Sequence, residues 1–232
     1  MRERIALGAD SAILFDLDGT LAETDDLHAQ AYANAVRELC GVEPDMSGYI
    51  DACVRGGMRP IEFLRSTGIK ANPRHLHLLK SREYRFLIAE SLSLRPGAHH
   101  LLVSLDELGV LTALVSSSSR ASVEVFVEKY WPAGRPHVIV ARDSQQLRPK
   151  PSGDPYRLAL ARLGADPVQC VAFENSPAGV AAVHEAGPRC IVVRSNYFGA
   201  ADFGRDELFI DSFLPVTVER AAGGCSLIVG SA

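Results

Sequence analysis

Two aspartates two residues apart, Asp16 and Asp18, follow four apolar residues in the stretch Ala12-Ile13-Leu14-Phe15-Asp16-Leu17-Asp18-Gly19-Thr20. An apolar run bounded by a glycine has the pattern of a buried strand in a parallel sheet. Side chains alternate faces along a strand, so carboxylates at i and i+2 point the same way while the strand lasts. With a turn at Gly19, both stand at the strand's carboxyl end, the edge where open α/β sheets bind ligands. Placing two like charges in one poorly solvated spot costs free energy that packing does not return. A divalent cation offsets that cost, and a ligand set made of oxygens alone suits Mg2+. Taken alone, the pair suits equally well the polar end of a strand with one aspartate capping a turn.

Three further polar clusters follow other apolar runs. Ser116-Ser117-Ser118-Ser119 comes directly after Leu114-Val115. Lys150, in Arg148-Pro149-Lys150-Pro151, lies a few residues beyond the run 137–141. Glu174-Asn175-Ser176 comes directly after Val171-Ala172-Phe173. In one parallel sheet the carboxyl ends of these runs share an edge, so two acids, a hydroxyl, an ammonium and another acid converge. Phosphoryl transfer needs such a set: a nucleophile, cations to offset the phosphate charge, and donors for its oxygens. Each member also has a simpler reading. Ser116 could cap the following helix, or the four serines form a solvent loop. Lys150 could be a surface lysine, and Glu174 with Ser176 could favour the start of a helix at 177. All four would then have to fall near strand ends by chance.

The elements that would position these groups alternate along the chain. The first strand is expected at 11–18, and from Thr24 the pattern turns helical, with Leu27, Ala31, Ala35 and Leu39 on one face and a stop at Gly41. Residues 45–92 read as helical pieces broken at Gly56-Gly57, Gly68 and Asn72-Pro73, and Arg95-Pro96-Gly97 marks a boundary. Helices are then expected at 98–108, 120–130, 154–163 and 177–186, and strands at 111–115, 137–141, 169–173, 189–193 and 208–210, before a last helix at about 214–222. The fold class that follows is α/β, a Rossmann-like parallel sheet core flanked by helices, with an inserted all-helical domain. The division expected is a core of 1–23 and 94–232 and a helical cap of 24–93. The stretch from Gly223 on is small and mostly apolar and receives no role.

The 232 residues, 47% hydrophobic and 22% charged, describe an ordinary soluble protein. A net charge of -4 gives no basic field for nucleic acid or an anionic membrane. No stretch approaches the length of a membrane helix, and no signal-like run follows the N-terminus. Five scattered cysteines without a CxxC pair read as reduced thiols, which places the expected compartment in the cytoplasm. A monomer or a small homo-oligomer is expected.

The order Asp-Leu-Asp-Gly-Thr, hydrophobic strand ending in serine, Lys-Pro, and Phe-Glu-Asn-Ser-Pro-Ala-Gly resembles the four motifs of the haloacid dehalogenase-like (HAD) hydrolase superfamily. The helical insertion resembles the cap of its beta-phosphoglucomutase-like (CbbY-like) branch. The resemblance implies a Mg2+-dependent phosphatase for a small phosphate ester, a sugar phosphate, with a phosphomutase as the rival and a catalytically weak binding protein as a third reading. It implies Asp16 as the nucleophile that becomes an aspartyl-phosphate and Asp18 as acid and then base, its backbone carbonyl on the metal. Ser116 would bond a phosphoryl oxygen, Lys150 would neutralise nucleophile and phosphate, and Glu174 and Asn175 would lie at the metal. His28, Arg59, Lys80 and Ser117 are the implied substrate contacts, and Glu23 and Thr24 the implied hinge. The branch usually carries Glu-Asp where this chain has Glu174-Asn175, and an amide offers Mg2+ an oxygen without a charge.

Overall fold

Apolar strands that are buried on both faces must lie in the middle of a sheet, and Ala12–Phe15 is such a strand, with all four residues buried. The structure, a computed structural model, describes residues 2–132, 134–144, 146–204 and 207–230. The chain forms two units, Met1–Glu23 with Ser93–Ala232, and Thr24–Leu92.

The first unit holds a six-stranded parallel sheet in the order β4-β3-β2-β5-β6-β7, built from β2 (Ala12–Phe15), β3 (Leu111–Val115), β4 (Val138–Val140), β5 (Val171–Glu174), β6 (Arg189–Val193) and β7 (Leu208–Ile210). The strand order reverses at β2, the place where doubly wound sheets open a crevice at their carboxyl edge. Helices α5 (Ala98–Glu107), α6 (Arg120–Tyr130), α7 (Asp154–Leu163) and α8 (Pro177–Ala186) supply the crossovers. On one face Leu14, Ala172 and Val192 share a core with Tyr156 of α7 and Val180 and Val183 of α8. On the other face the Phe15 and Phe173 rings stack at 5.3 Å, with Phe213 edge-on to both.

The helical unit contains α1 (Asp25–Cys40), α2 (Met46–Tyr49), a π-helical turn (Ile50–Arg55), α3 (Pro60–Ser66) and α4 (Pro73–Ser91). Asp25 and Asp26 in the first turn of α1 favour its dipole. The core of this unit is Tyr32, Val36, Tyr49, Phe63, Leu64 and Leu76. No helix of the described residues is long and apolar enough to cross a membrane.

The C-terminal expectation is corrected. Residues 214–222 are not a helix: Val216–Ala221 is strand β8, joined to β9 (Gly224–Gly230) in an antiparallel hairpin, and β9 pairs in turn with β1 (Arg2–Leu7). Val216 and Val218 are buried while Thr217 and Glu219 are exposed, the period-two alternation of a half-buried strand. The stretch left without a role is therefore the central strand of a second, three-stranded sheet, with residues 231 and 232 outside the described residues. Strand limits also move. The strand expected at 11–18 is β2 and ends at Phe15, preceded by the unexpected β1, and β5 begins at Val171, after a 3-10 turn at Pro167–Gln169, and runs on to include Glu174.

Candidate active site

Sheet register decides which side chains meet. Phe15 lies opposite Leu114 on one side and Phe173 on the other. Paired residues of parallel strands point to the same face, so the next residues along, Asp16 and Glu174, leave the sheet together on the face opposite the stacked phenylalanines. The Asp16 N–H donates to the Phe173 carbonyl at 3.0 Å and continues the ladder by one bond.

Lys150 closes the gap between these two carboxylates. Its ammonium donates to Asp16 Oδ1 at 2.7 Å, Glu174 Oε1 at 2.6 Å and the Val115 carbonyl at 3.0 Å. All three of its donors are used. The loop that carries it is anchored outside the site: Arg148 and Arg157 both bond Asp154, and Glu185 accepts from the Gly153 N–H at 2.8 Å. Thr20 Oγ1 donates to the other oxygen of Asp16 at 2.9 Å. Gly19, at φ 79°, turns the chain so that Thr20 comes back under Asp16.

Asp18 is held separately. Its Oδ2 accepts from the hydroxyls of Ser116 at 3.1 Å and Ser118 at 2.7 Å, and the Ser118 N–H donates to Ser116 Oγ at 2.9 Å. Ser117 between them is exposed. The chain thus leaves the strand before Asp18, and the serine turn fixes that carboxylate, rather than strand alternation.

Glu174 is wholly buried and surrounded by donors. Oε1 accepts from Lys150 and from the Tyr156 hydroxyl at 2.7 Å, and Oε2 from the Asn175 N–H at 3.1 Å and the Ser176 hydroxyl at 3.5 Å. Ser176 also caps α8. A Cβ on Gly179 would fall 1.9 Å from Glu174 Oε2. Gly179→Ala is therefore expected to push the Glu174 carboxylate off its partners and to destabilise the fold by roughly 1–3 kcal/mol. Urea denaturation reads the loss, and an unchanged midpoint would show that α8 gives way instead.

Burial pushes the Asp16 carboxyl up to about 7, with repulsion from Glu174 and Asp18 adding to it and Lys150 opposing. Burial alone would lower the proton affinity of Lys150, but Asp16 and Glu174 outweigh it, and the ammonium is held above its ordinary value. The site is a buried cation between two carboxylates, with a third carboxylate close by.

Of the residues singled out in the sequence, Asp16, Asp18, Ser116, Lys150, Glu174 and Asn175 gather at this edge. His28, Arg59 and Lys80 belong to the helical unit. There His28 stacks on Tyr84 at 3.8 Å, exposed Arg59 pairs with Glu62, and the Lys80 ammonium lies 5.9 Å from the centre of the Tyr49 ring. Sequence reasoning gave no role to Ser118 or Tyr156. Ser118 follows Ser116 by two in a turn, and no local pattern marked Tyr156.

The model of the haloacid dehalogenase-like hydrolases matches residues 11–187. The protein CbbY of Cereibacter sphaeroides is 35% identical over 214 residues, 87% of this chain and 92% of that protein. The crystal structure of CbbY from Rhodobacter sphaeroides in complex with xylulose-(1,5)bisphosphate aligns with a TM-score of 0.76 at 33% identity, covering 88% of this chain and 94% of that one. A putative beta-phosphoglucomutase from Thermotoga maritima aligns with a TM-score of 0.64 at 25% identity, covering 86% and 94%. With four motifs ending on one sheet edge and a match across most of its length, the chain belongs to the haloacid dehalogenase-like hydrolases, in their CbbY-like branch.

Proposed function

We propose that this phosphatase hydrolyses a small sugar phosphate through an aspartyl-phosphate on Asp16. The observation that carries the reading is the Asp16 carboxylate itself, aimed by Lys150 and Thr20 with Asp18 two residues on. In the first step an Asp16 oxygen attacks phosphorus, and the bond from phosphorus to the sugar oxygen breaks as Asp18 gives that oxygen a proton. In the second, Asp18 takes a proton from water as the water oxygen attacks phosphorus, and phosphate leaves with Asp16 restored. Ser116 and Ser118 hold Asp18 at the reacting oxygen, and the phosphoryl contact assigned to Ser116 needs its hydroxyl to turn from Asp18.

Mg2+ fits the donor set. With Asp18 carrying the proton it gives to the leaving oxygen, Asp16 and Glu174 against one ammonium leave one negative charge, and a divalent ion offsets it together with part of the phosphate charge. Asp16, the Asp18 backbone carbonyl and the Asn175 amide oxygen would hold it directly, with Glu174, whose oxygens already accept three bonds within 3.1 Å, beside them. When bound, the ion supplies charge stabilisation for the transferring phosphoryl group. Asn175→Asp adds a charge to that set and is expected to tighten Mg2+ on the order of ten-fold by calorimetry. Unchanged affinity would remove Asn175 from the metal.

The sugar class is supported by the xylulose-(1,5)bisphosphate complex of the CbbY relative. Arg59 is the proposed grip on a second phosphate. Leaving Glu62 costs it little, since solvent screens an exposed ion pair. His28, Lys80 and Ser117 are the remaining proposed contacts. The test is phosphate release from sugar mono- and bisphosphates with Mg2+ and with a chelator. Chelator-sensitive release supports the reading. Isomerised product without release would establish a mutase, and Mg2+-independent ligand binding without turnover a binding protein.

A further inference from the structure

Tyr156 lies on α7, outside every motif, and its side chain is wholly buried. Its ring lies 5.0 Å from the Lys150 ammonium, and its hydroxyl donates to the same Glu174 oxygen that Lys150 bonds. The rest of its surroundings are apolar: Ala159 and Leu160 on its own helix, with Ala172, Cys190 and Val192 of the sheet in the same core. The Cys190 thiol is the one polar group among them, and a thiol is a much weaker donor than the phenol. Without the phenol, Oε1 keeps Lys150 alone, and on the other oxygen only the Asn175 N–H at 3.1 Å holds closely, the Ser176 hydroxyl standing at 3.5 Å. A buried carboxylate in that state rotates toward any better charge, and the lysine it holds loses its direction.

We infer that Tyr156 is a positioning residue: its hydroxyl reserves Glu174 for Lys150, which keeps the ammonium on Asp16 and leaves the metal to Asn175. The inference rests on the phosphatase reading of this site and extends it to a residue that touches neither substrate nor metal. It assigns a chemical reason for a tyrosine, where a phenylalanine would fill the same core volume.

Tyr156→Phe removes one oxygen and adds no bulk, and three donors remain on Glu174, so the variant retains its fold, which melting checks. The expected result is a fall in kcat on the order of ten-fold with KM unchanged, the loss of one hydrogen bond to a charged group. Mg2+ affinity, measured by calorimetry without substrate, does not fall, because a Glu174 oxygen released from the phenol is free to turn toward the ion. On a Glu174→Gln background the same substitution has no further effect on kcat, because its route runs through that carboxylate. In nitrogen-labelled protein the shielded Lys150 ammonium gives a resolved NMR signal that broadens away in Tyr156→Phe. An unchanged kcat, an additive loss on the Glu174→Gln background, weakened Mg2+ binding or an unaltered ammonium signal would each overturn the inference. Absence of phosphate release from the wild type would reject the phosphatase reading instead, and the ammonium signal then still decides the role of Tyr156.

Discussion

Asp16→Asn is expected to abolish turnover, with kcat falling by roughly 10^4-fold or more, the scale seen when a covalent nucleophile is removed. The fold should survive the change. Asp16 sits where burial and two neighbouring carboxylates disfavour its charge, so the neutral amide removes a repulsion. The amide oxygen still accepts from Lys150, which also keeps Glu174 and the Val115 carbonyl, and the Thr20 hydroxyl turns to accept from the amide nitrogen. Phosphate release and thermal melting on one preparation separate the two effects. A variant that melts at or above the wild-type temperature and releases no phosphate fits the account. One that keeps more than a percent or so of the wild-type rate would place the nucleophile elsewhere.

Lys150→Met gives the second large effect, and here stability falls together with activity. Removing the ammonium leaves Asp16 and Glu174 facing each other without a counter-charge, and breaking a buried pair in this way costs about 3–5 kcal/mol. The loss should depend on pH with a definite sign. The Asp16 carboxyl is raised from 3.8 to about 7 in the fold, so its contribution to stability is present below 3.8 and is lost as pH rises through 7. Without Lys150 its proton affinity rises further, and the repulsion is relieved wherever Asp16 is protonated. Urea denaturation without metal should therefore show the full penalty near pH 8 and a much smaller one near pH 5. A penalty independent of pH would mean that the lysine stem, rather than its charge, is what the core requires.

The site's main members were legible in the sequence because each is a local event. An apolar strand ends and a polar residue follows, at Asp16, Ser116 and Glu174, and parallel topology brings those ends to one edge. Lys150 was harder, since it lies ten residues past β4 on a loop that has to return, and only the Lys-Pro pattern marked it. Tyr156 was not legible. A tyrosine on the core side of a helix reads as packing, and its task depends on a glutamate that another strand brings to it. The choice of Ser118 over Ser117 depended on a turn whose side-chain directions the sequence does not state. The antiparallel sheet escaped for a related reason. The alternation in Val216-Thr217-Val218 is short, and the strand β1 that completes the sheet stands at the other end of the chain.

The most direct measurement traps the phosphoryl group on the protein. Asp18→Asn is mixed with acetyl phosphate and Mg2+, a donor whose leaving group departs without an added proton, so that the first step proceeds and the second, which needs Asp18 as base, does not. Acid quenching, borohydride reduction and peptide mass spectrometry then locate the acyl phosphate. The account predicts that Asp16 alone is recovered reduced to the alcohol. An unmodified Asp16, with phosphate still released in step with the donor consumed, would contradict it.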